Sequence, residues 1–453
     1  MNPWLGMGIV LAVLGGLMVL LRLYQRHFDP HPEWVRKLLH MGMGLVTLTF
    51  PWLFAEAWPV VLLAGLSVLA LLATRWLRGL KHHLGAVVNS VNRTSLGEIY
   101  FPIGVAILFV LFHYETRGPF AQRVLLYEIP ILILALADAL AALVGIRFGR
   151  HIYDTVDGRK STEGSLAFFA VAGISTFFPL WLWGEVAPDD ALLTAVLVGF
   201  LAMMFEAIAW HGLDNLLLPL TCFLLLRSYL HLESAELTWR LLVTALLVGI
   251  AMSYRHWTTL SANALMGSVL VGYLSWSLGG WLWLLAPLLF FSCYALLPGG
   301  PIVGCQIRHN IHAVLCISSA GLVWLFLANL LKRPDWLSPY NLAFAAHLGI
   351  IALVRLKRGY PKTHAVPVLL VGGAAGGSLA LITGLPEFGL SMSLLTYLGI
   401  AVLGVVLAVC AFASIQPGLH DCPTDTPRWL RQALVAGLAS LLGLMPAWWH
   451  LAS

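Results

Sequence analysis

Uninterrupted apolar segments, each close to the length of a membrane span, follow one another along most of the chain. A helix needs about 20 mainly apolar residues to cross the hydrocarbon core of a bilayer. The segments do not alternate with polar residues, so they predict helices rather than strands. The sequence therefore predicts an all-α, polytopic integral membrane protein with roughly 14–16 transmembrane helices. The candidate segments are 4–21, 39–54, 58–74, 99–113, 128–146, 164–183, 191–209, 215–230, 238–252, 261–278, 281–297, 310–331, 340–354, 366–385, 391–413 and 432–450.

The composition agrees with a membrane protein and excludes several other classes. Hydrophobic residues make up 60% of the chain and charged residues 10%, whereas soluble domains carry about 25% charged residues. The net charge of +5 comes from residues in short loops, so it predicts membrane orientation and not nucleic-acid binding. The six cysteines form no CxxC pair, so we expect neither a disulfide framework nor a zinc site.

Basic residues concentrate in alternate loops of the first half. Cytoplasmic loops are enriched in lysine and arginine, so we expect these loops to face the cytoplasm and the N-terminus to lie outside. The first segment has neither a charged region before it nor a clear cleavage site after it, and is interpreted as a retained helix. The basic loops carry Arg22, Arg26, Arg36 and Lys37, then Arg75, Arg78, Lys81 and Arg93, then Arg147, Arg150, Arg159 and Lys160.

A short acidic loop at residues 231–238 suggests two domains, 1–235 and 236–453. Acidic residues are frequent before this loop, and only Asp335, Glu387, Asp421 and Asp425 follow it. Any site that needs carboxylates is therefore expected in residues 1–235.

The segment from Asp138 to Ser165 carries the strongest signal of function. Asp138 stands within an apolar helix, where a carboxylate is costly and marks a functional site by default. Ala142, Gly145 and Gly149 follow it at helical spacing. This small face permits either close approach of a ligand or tight packing against another helix.

The sequence Lys160-Ser-Thr-Glu163-Gly164-Ser165 opens the next helix. Backbone donors at a helix N-terminus favour anions, and a lysine with hydroxyls suits phosphate oxygens. Glu163 is a candidate metal ligand. In the alternative interpretation, Ser161 or Thr162 only caps the helix, with Glu163 in its first turn. The P-loop pattern GxxxxGK[ST] is absent.

Two further loops supply candidate residues. Residues 92–102 place Arg93, Ser95 and Glu98 at the start of a helix, and residues 206–219 contain Glu206, Asp214 and Asn215. Capping by Ser95 or Asp214, with Glu98 facing the helix dipole, would explain them without function.

Together these residues predict phosphoryl or nucleotidyl transfer. Asp138 and Asp214, with Glu98 or Glu163, can hold Mg²⁺ through oxygen ligands. Arg93, Arg150 and Lys160 can neutralise phosphates, and such transfer depends mainly on positioning and charge stabilisation. A site in the membrane implies a lipid acceptor, and a cytoplasmic site implies a soluble nucleoside triphosphate. We expect the partners to be the membrane and these two substrates, with no nucleic acid.

Four ordered blocks within residues 33–220 resemble the phytol/dolichol (polyprenol) kinase family of CTP-dependent membrane transferases. The blocks comprise Arg36, Lys37 and His40; Arg93, Ser95, Gly97, Glu98, Tyr100 and Phe101; Asp138, Ala142, Gly145, Gly149, Arg150, Lys160, Glu163, Gly164 and Ser165; and Glu206, Asp214, Asn215 and Pro219.

The resemblance implies transfer of the γ-phosphate of a nucleoside triphosphate, usually CTP, to a prenyl alcohol such as phytol, geranylgeraniol or a polyprenol, with Mg²⁺. Combined with the residue chemistry, it assigns catalysis to Asp138, Lys160, Glu163 and Asp214, and the metal to Asp138, Asp214 and Glu98. Nucleotide binding is assigned to Arg93, Ser95, Gly145, Gly149, Arg150, Lys160, Ser161, Gly164, Ser165 and Asn215.

Two other functions stay open at this point. A phosphatidate-type cytidylyltransferase shares the general scheme, although its late motif ends in paired aspartates where this chain has Asp214-Asn215. The many spans also suit a lipid transporter or flippase, but the two halves show no convincing repeat.

The second half weakly resembles, over residues 253–385, a membrane family that includes proposed phytyl-phosphate kinases. The Ala-Asp-Thr segment of that family falls at Ala346-His347-Leu348, where the acidic residue is missing. We therefore expect a scaffold, lipid-handling or degenerate domain. The pairs His309 with His312 and His82 with His83 have fewer ligands than a zinc site needs.

Overall fold

The computed structural model describes residues 2–76, 96–296, 309–360, 362, 364–418 and 426–445. Almost all of them are helical, and the strands in the described part of the chain form one hairpin. The chain divides into two compact units, Met1–Leu241 and Leu242–Ser453. The all-α, polytopic fold predicted from the apolar segments is confirmed.

The first unit contains helices that surround one long bent helix, Phe120–Phe148. Pro130 lies inside its first part and cannot donate a backbone hydrogen bond, and a π-helical turn, Ile133–Ala137, follows. Such turns are frequent at functional sites. The elements are α1 (Pro3–Phe28), α2 (Pro32–Leu48), α3 (Phe50–Leu53), α4 (Trp58–Trp76), α5 (Gly97–Tyr114), α6 (Phe120–Leu132), α7 (Asp138–Phe148), β1 (Ile152–Thr155), β2 (Gly158–Ser161), α8 (Thr162–Leu182), α9 (Pro188–Ile208), α10 (Asp214–Tyr229) and α11 (Ser234–Tyr254), which continues past the unit boundary.

The second unit is built around α15, which is buried on all sides from Leu337 to Val354. A helix that is apolar around its whole circumference belongs in a core, and α13, α14, α16, α17 and α18 pack against it. The elements are α12 (Ala262–Gly279), α13 (Trp281–Leu296), α14 (Ile311–Leu331), α15 (Leu337–Gly359), α16 (Ala365–Phe388), α17 (Met392–Ile415) and α18 (Thr426–Ser440), with short 3-10 turns at Pro334–Trp336 and Leu441–Leu444.

Ten helices of the described chain are long and apolar enough to cross a membrane. Trp58–Ala73 and Trp281–Tyr294 are shorter apolar helices. The other predicted segments are helical over their described residues, but these helices are shorter or less apolar, as with the 17 residues of α2 and the 16 residues of α10. A long apolar stretch therefore identified a helix even where its length falls short of a full span.

Candidate functional site

A buried lysine–aspartate pair joins α2 to the start of α7. The Lys37 Nζ atom donates to Asp138 Oδ2 at 2.7 Å, and both residues are buried. His40 Nε2 lies 3.7 Å from the same oxygen and 3.0 Å from the Leu134 carbonyl oxygen in the π-helical turn. Two residues of the Arg-Lys-x-x-His block thus surround the carboxylate within the long helix. Arg36, the third residue of this block, pairs instead with Glu33, its Nε lying 3.0 Å from Glu33 Oε2.

A second pair joins the hairpin to the end of α9. The Lys160 Nζ atom donates to Glu206 Oε1 at 2.7 Å and to the Glu206 carbonyl oxygen at 2.5 Å. Burial alone would lower the pKa of Lys160, but the neighbouring Glu206 carboxylate outweighs burial and raises that pKa above its ordinary value. Lys160 is therefore a cation throughout the neutral pH range.

Lys160 is held by a β-hairpin where the sequence predicts only a basic loop. Strands β1 and β2 pair antiparallel with Tyr153 opposite Lys160. Gly158 closes the turn with a φ of 130°, a region that favours glycine. At the tip, Asp157 accepts a hydrogen bond from the backbone of His211, in the loop before α10.

Glu163 connects the start of α8 to the backbone that follows α7, and Ser161 caps α8. The Glu163 carboxylate accepts hydrogen bonds from the backbone nitrogens of Arg150 at 3.1 Å and His151 at 3.2 Å, and it lies 2.7 Å from His151 Nδ1. Ser161 Oγ accepts from the Gly164 nitrogen at 3.1 Å and caps the helix. In this geometry both side chains hold backbone in place. Ser165 is buried, with Oγ 2.7 Å from the Tyr153 hydroxyl.

Three predicted nucleotide-binding glycines lie where α7 packs on the start of α8. A Cβ atom at Gly145 would lie 3.1 Å from Ser161 Oγ, and one at Gly164 would lie 2.9 Å from the Ala141 carbonyl oxygen. At Gly149 it would lie 2.4 Å from the Gly145 carbonyl oxygen. Of the two interpretations of this small face, close packing is the one that the geometry shows.

Asp214 begins α10 and differs from the paired carboxylates. It interacts electrostatically with Asp138, Lys160 and Lys37, yet no hydrogen bond or ion pair to its carboxylate is found among the described residues. In the neighbouring residue, Asn215 Oδ1 is buried and has no hydrogen-bond partner among the residues that the structure describes. Two lysine–carboxylate pairs and two oxygen acceptors without a described donor thus meet near the starts of α2, α8 and α10.

The start of α5 approaches the same place. The Leu96 backbone nitrogen donates to the His211 carbonyl oxygen at 3.0 Å, and a Cβ atom at Gly104 would lie 2.5 Å from the Asn215 carbonyl oxygen. Glu98 lies in the first turn of α5, and the Phe101 ring centroid is 5.1 Å from that of His40. Arg93 and Ser95, predicted to bind nucleotide, lie outside the described residues.

Within the described part of the chain, no group of three or more His, Cys, Asp and Glu side chains could hold a metal ion. Mg²⁺ in phosphoryl-transfer sites usually has only one or two protein carboxylates, with substrate phosphates and waters as its other ligands. Asp214 and Asn215 fit this pattern best, because their oxygens have no described donor.

Known proteins similar to this chain include the phytol kinase of Synechocystis sp., which is 30% identical over 223 residues, 48% of this chain and 88% of that protein. The chain belongs to the family of phytol and dolichol kinases. The dolichol kinase of Schizosaccharomyces pombe is 30% identical over 135 residues, which are 29% of the present chain and 25% of the yeast protein. No protein-family model and no solved structure matches the chain.

In the structure, residues from separate motif blocks of the phytol and dolichol kinase family contact one another. The sequence marks Lys37, His40 and Glu206 as motif residues but does not indicate their partners. The structure pairs each of them with a predicted catalytic residue. The sequence does show basic residues in the first block and two carboxylates, Asp138 and Glu206, in apolar segments, and opposite charges of this kind suggest ion pairs. It does not indicate which cation pairs with which carboxylate.

We predict that removing one partner of the Lys37–Asp138 pair destabilises the protein more than removing both. Lys37→Met leaves a buried carboxylate without its cation, and breaking such a pair costs about 3–5 kcal/mol. The double variant Lys37→Met/Asp138→Leu should recover part of this loss. Thermal unfolding of the purified protein measures both, with the exposed Arg159→Met as the control. A double variant no more stable than Lys37→Met would contradict the pairing.

Proposed function

We propose that the protein is a kinase that transfers the γ-phosphate of CTP, or of another nucleoside triphosphate, to the hydroxyl group of a prenyl alcohol such as phytol, geranylgeraniol or a polyprenol. The observation that carries the proposal is the meeting of residues from separate sequence blocks at one cluster: Lys37, Asp138, Lys160, Glu206 and Asp214. The phytol kinase and dolichol kinase relatives support the acceptor class, and the choice of CTP rests on the family resemblance.

The cluster has the charges that phosphoryl transfer needs. That reaction depends on positioning and on cations that stabilise charge on the transferred phosphate. Lys160 remains protonated beside Glu206. Its ammonium group can therefore donate a hydrogen bond to a phosphate oxygen when the nucleotide binds. Lys37 is fixed by Asp138, and we assign Asp138 the role of positioning Lys37 and His40.

We place Mg²⁺, the cofactor that the family implies, at Asp214 and Asn215. Bound there, the ion would neutralise phosphate charge. The predictions that Asp138 and Glu98 also bind the metal, and that Glu163 is catalytic, remain predictions. Lys37 contacts Asp138 Oδ2, so for Asp138 to bind metal the ion would have to use the other carboxylate oxygen or displace Lys37.

The orientation of the site is part of the same proposal. Arg147 and Arg150 precede the hairpin that carries Lys160, and Arg159 lies within it. An excess of basic residues is typical of cytoplasmic loops, so we place this cluster at the cytoplasmic face, where a soluble nucleotide is available.

An apolar groove between α4 and α5 suits the tail of the acceptor. Two adjoining hollows of about 610 and 550 Å³ share Val61, Gly65, Leu69 and Val110 in their walls. The groove follows α5 from Ile103 to Tyr114, roughly 17 Å at 1.5 Å per residue. Ile103, at one end of the groove, is two turns of α5 from Leu96, whose backbone nitrogen bonds to the His211 carbonyl oxygen, so we place the hydroxyl group of the acceptor at this end of the groove.

The decisive measurement follows labelled nucleotide into lipid. Purified full-length protein is given CTP, ATP, GTP or UTP with phytol, geranylgeraniol, undecaprenol or dolichol, and we expect lipid phosphate labelled from the γ-position only. Label entering from the α-phosphate would instead identify a cytidylyltransferase. Absence of product with every pair, together with lipid flux in liposomes without nucleotide, would support a transporter.

Within this assay, Asp214→Asn should lower turnover on the order of 10²–10³-fold, because it removes the carboxylate that would hold Mg²⁺ at the transferred phosphate. The matched control is Asp154→Asn, since Asp154 is an exposed hairpin residue paired with Arg159. Equal turnover of the two variants would remove Asp214 from the mechanism.

The groove predicts that acceptor length is sensitive to Gly65. A Cβ atom at Gly65 would meet no heavy atom within 4 Å, so Gly65→Phe should fold and fill the groove. We expect turnover of geranylgeraniol to fall about tenfold relative to that of the shorter geraniol. Gly16→Phe is the control, because Gly16 on α1 is equally open. An unchanged ratio of the two turnovers would place the tail elsewhere.

A further inference from the structure

Polar side chains from three helices of the second unit come together near the start of α15. Ser338 and Asn341 are buried and lie three residues apart, on the same face of α15. Ser338 Oγ donates a hydrogen bond to Glu387 Oε1 of α16 at 3.2 Å. The Tyr397 side chain of α17 interacts with Asn341 and Glu387, and also with Thr383 of α16. These five side chains are called the oxygen cluster below.

The Tyr397 ring is held in place against α16. A Cβ atom at Gly384 would lie 2.6 Å from Tyr397 Cε1, and the ring centroids of Phe388 and Tyr397 are 5.1 Å apart. Tyr397 is fully buried. Its hydroxyl group therefore has to find its partners inside the protein, among the polar atoms of the oxygen cluster.

The contacts within the oxygen cluster do not complete its hydrogen bonding. The hydroxyl proton of Ser338 goes to Glu387, and that of Thr383 goes to a backbone carbonyl oxygen one turn earlier in α16, at 2.9 Å. Glu387 Oε2, the Tyr397 hydroxyl and both amide atoms of Asn341 are buried and have no hydrogen-bond partner in the described part of the chain. Buried polar atoms of this kind are costly, so a small ligand that reaches several of them would stabilise the fold.

Charge favours a cation over a water molecule as this ligand. Glu387 forms no ion pair with any residue that the structure describes. Asp335, which acts on it electrostatically, is also acidic and is already paired with Arg333. Glu387 lies in the last turn of α16, which ends at Phe388, and the carbonyl end of a helix favours positive charge. Water would leave the carboxylate charge uncompensated, which is costly within a membrane protein.

We propose that the oxygen cluster binds one monovalent alkali-metal cation, coordinated by the Glu387 carboxylate and by neutral oxygen atoms of the other four side chains. A single carboxylate balances a single positive charge, whereas Ca²⁺ sites usually combine several carboxylates. Carbonyl oxygens and helix C-termini coordinate Na⁺ in other membrane proteins. The ion would join α15, α16 and α17. This site belongs to the second unit and does not depend on the proposed kinase function.

The experiment follows thermal unfolding of the purified full-length protein in phosphatidylcholine nanodiscs, without nucleotide or Mg²⁺. Choline chloride is replaced stepwise by sodium or potassium chloride at constant ionic strength. A cation that binds only the folded state raises its stability by mass action. We therefore expect the unfolding temperature to rise by about 3 °C for each tenfold increase in Na⁺ or K⁺ beyond half-saturation. Equal unfolding temperatures in all three salts would overturn the proposal.

Glu387→Gln keeps the shape of the side chain and removes its charge. We expect this variant to lose the response to Na⁺ and K⁺, yet to be at least as stable as the unaltered protein in choline, because it no longer carries an unpaired carboxylate. A fall in unfolding temperature that is the same in every salt would give Glu387 a structural role only, and would contradict cation binding. Glu236→Gln is the matched control, since Glu236 is exposed in the first turn of α11.

Two further variants locate the ion. Tyr397→Phe should raise the cation concentration at half-saturation about tenfold, because one neutral ligand is lost. Asp214→Asn should keep the full response, since Asp214 belongs to the first unit. A response lost in Asp214→Asn and kept in Glu387→Gln would assign the cation to the first unit and refute the proposal. If Glu387→Gln does not fold, Tyr397→Phe and the salt series on the unaltered protein decide. Failure of the kinase assay leaves this test intact, because no substrate is present.

Discussion

Two lysine–carboxylate pairs, one buried and one partly buried, are the constraint on which the first unit depends. Lys37–Asp138 joins α2 to the long bent helix, and Lys160–Glu206 joins the hairpin to α9. In an apolar interior neither partner of such a pair can be left alone cheaply, so each pair fixes the relative position of two elements that are distant in sequence. Asp214, at the start of α10, lies within reach of both pairs but belongs to neither.

Several residues of the motif also hold its own backbone together. Gly145, Gly149 and Gly164 allow α7 to pack closely on α8, and Glu163 binds the backbone that connects them. These residues keep the hairpin rigid, and the hairpin then presents Lys160. A site that must hold a polyphosphate gains from such rigidity, because positioning supplies much of the rate in phosphoryl transfer.

The helices could be predicted because hydrocarbon allows few alternatives: a long apolar stretch must be helical to satisfy its backbone. The acidic and basic members of the cluster were also identifiable, since charge within apolar segments stands out. The partners were not, because the pairing of Lys37 with a residue 101 positions away depends on tertiary packing. The hairpin was missed although Asp157-Gly158 is a turn signal, since its strands have only four residues each. The glycines were ambiguous because contact with a ligand and contact with a helix demand the same absence of a side chain.

The second unit contains buried polar residues, among them Arg428 and Gln432, that the sequence does not single out. A missing carboxylate at His347 suggested a degenerate site, and His347 is indeed buried in α15, with Nδ1 3.2 Å from Gln432 Nε2. Arginines of α15 and α18, which are far apart in sequence, come together around His309 instead. Basic residues in a membrane protein are readily attributed to orientation. That explanation does not account for Arg428, which is buried, since an arginine that only orients a loop would remain in water. Its guanidinium lies 4.2 Å from the Trp429 ring centroid, so the position of Arg428 reflects packing within the unit.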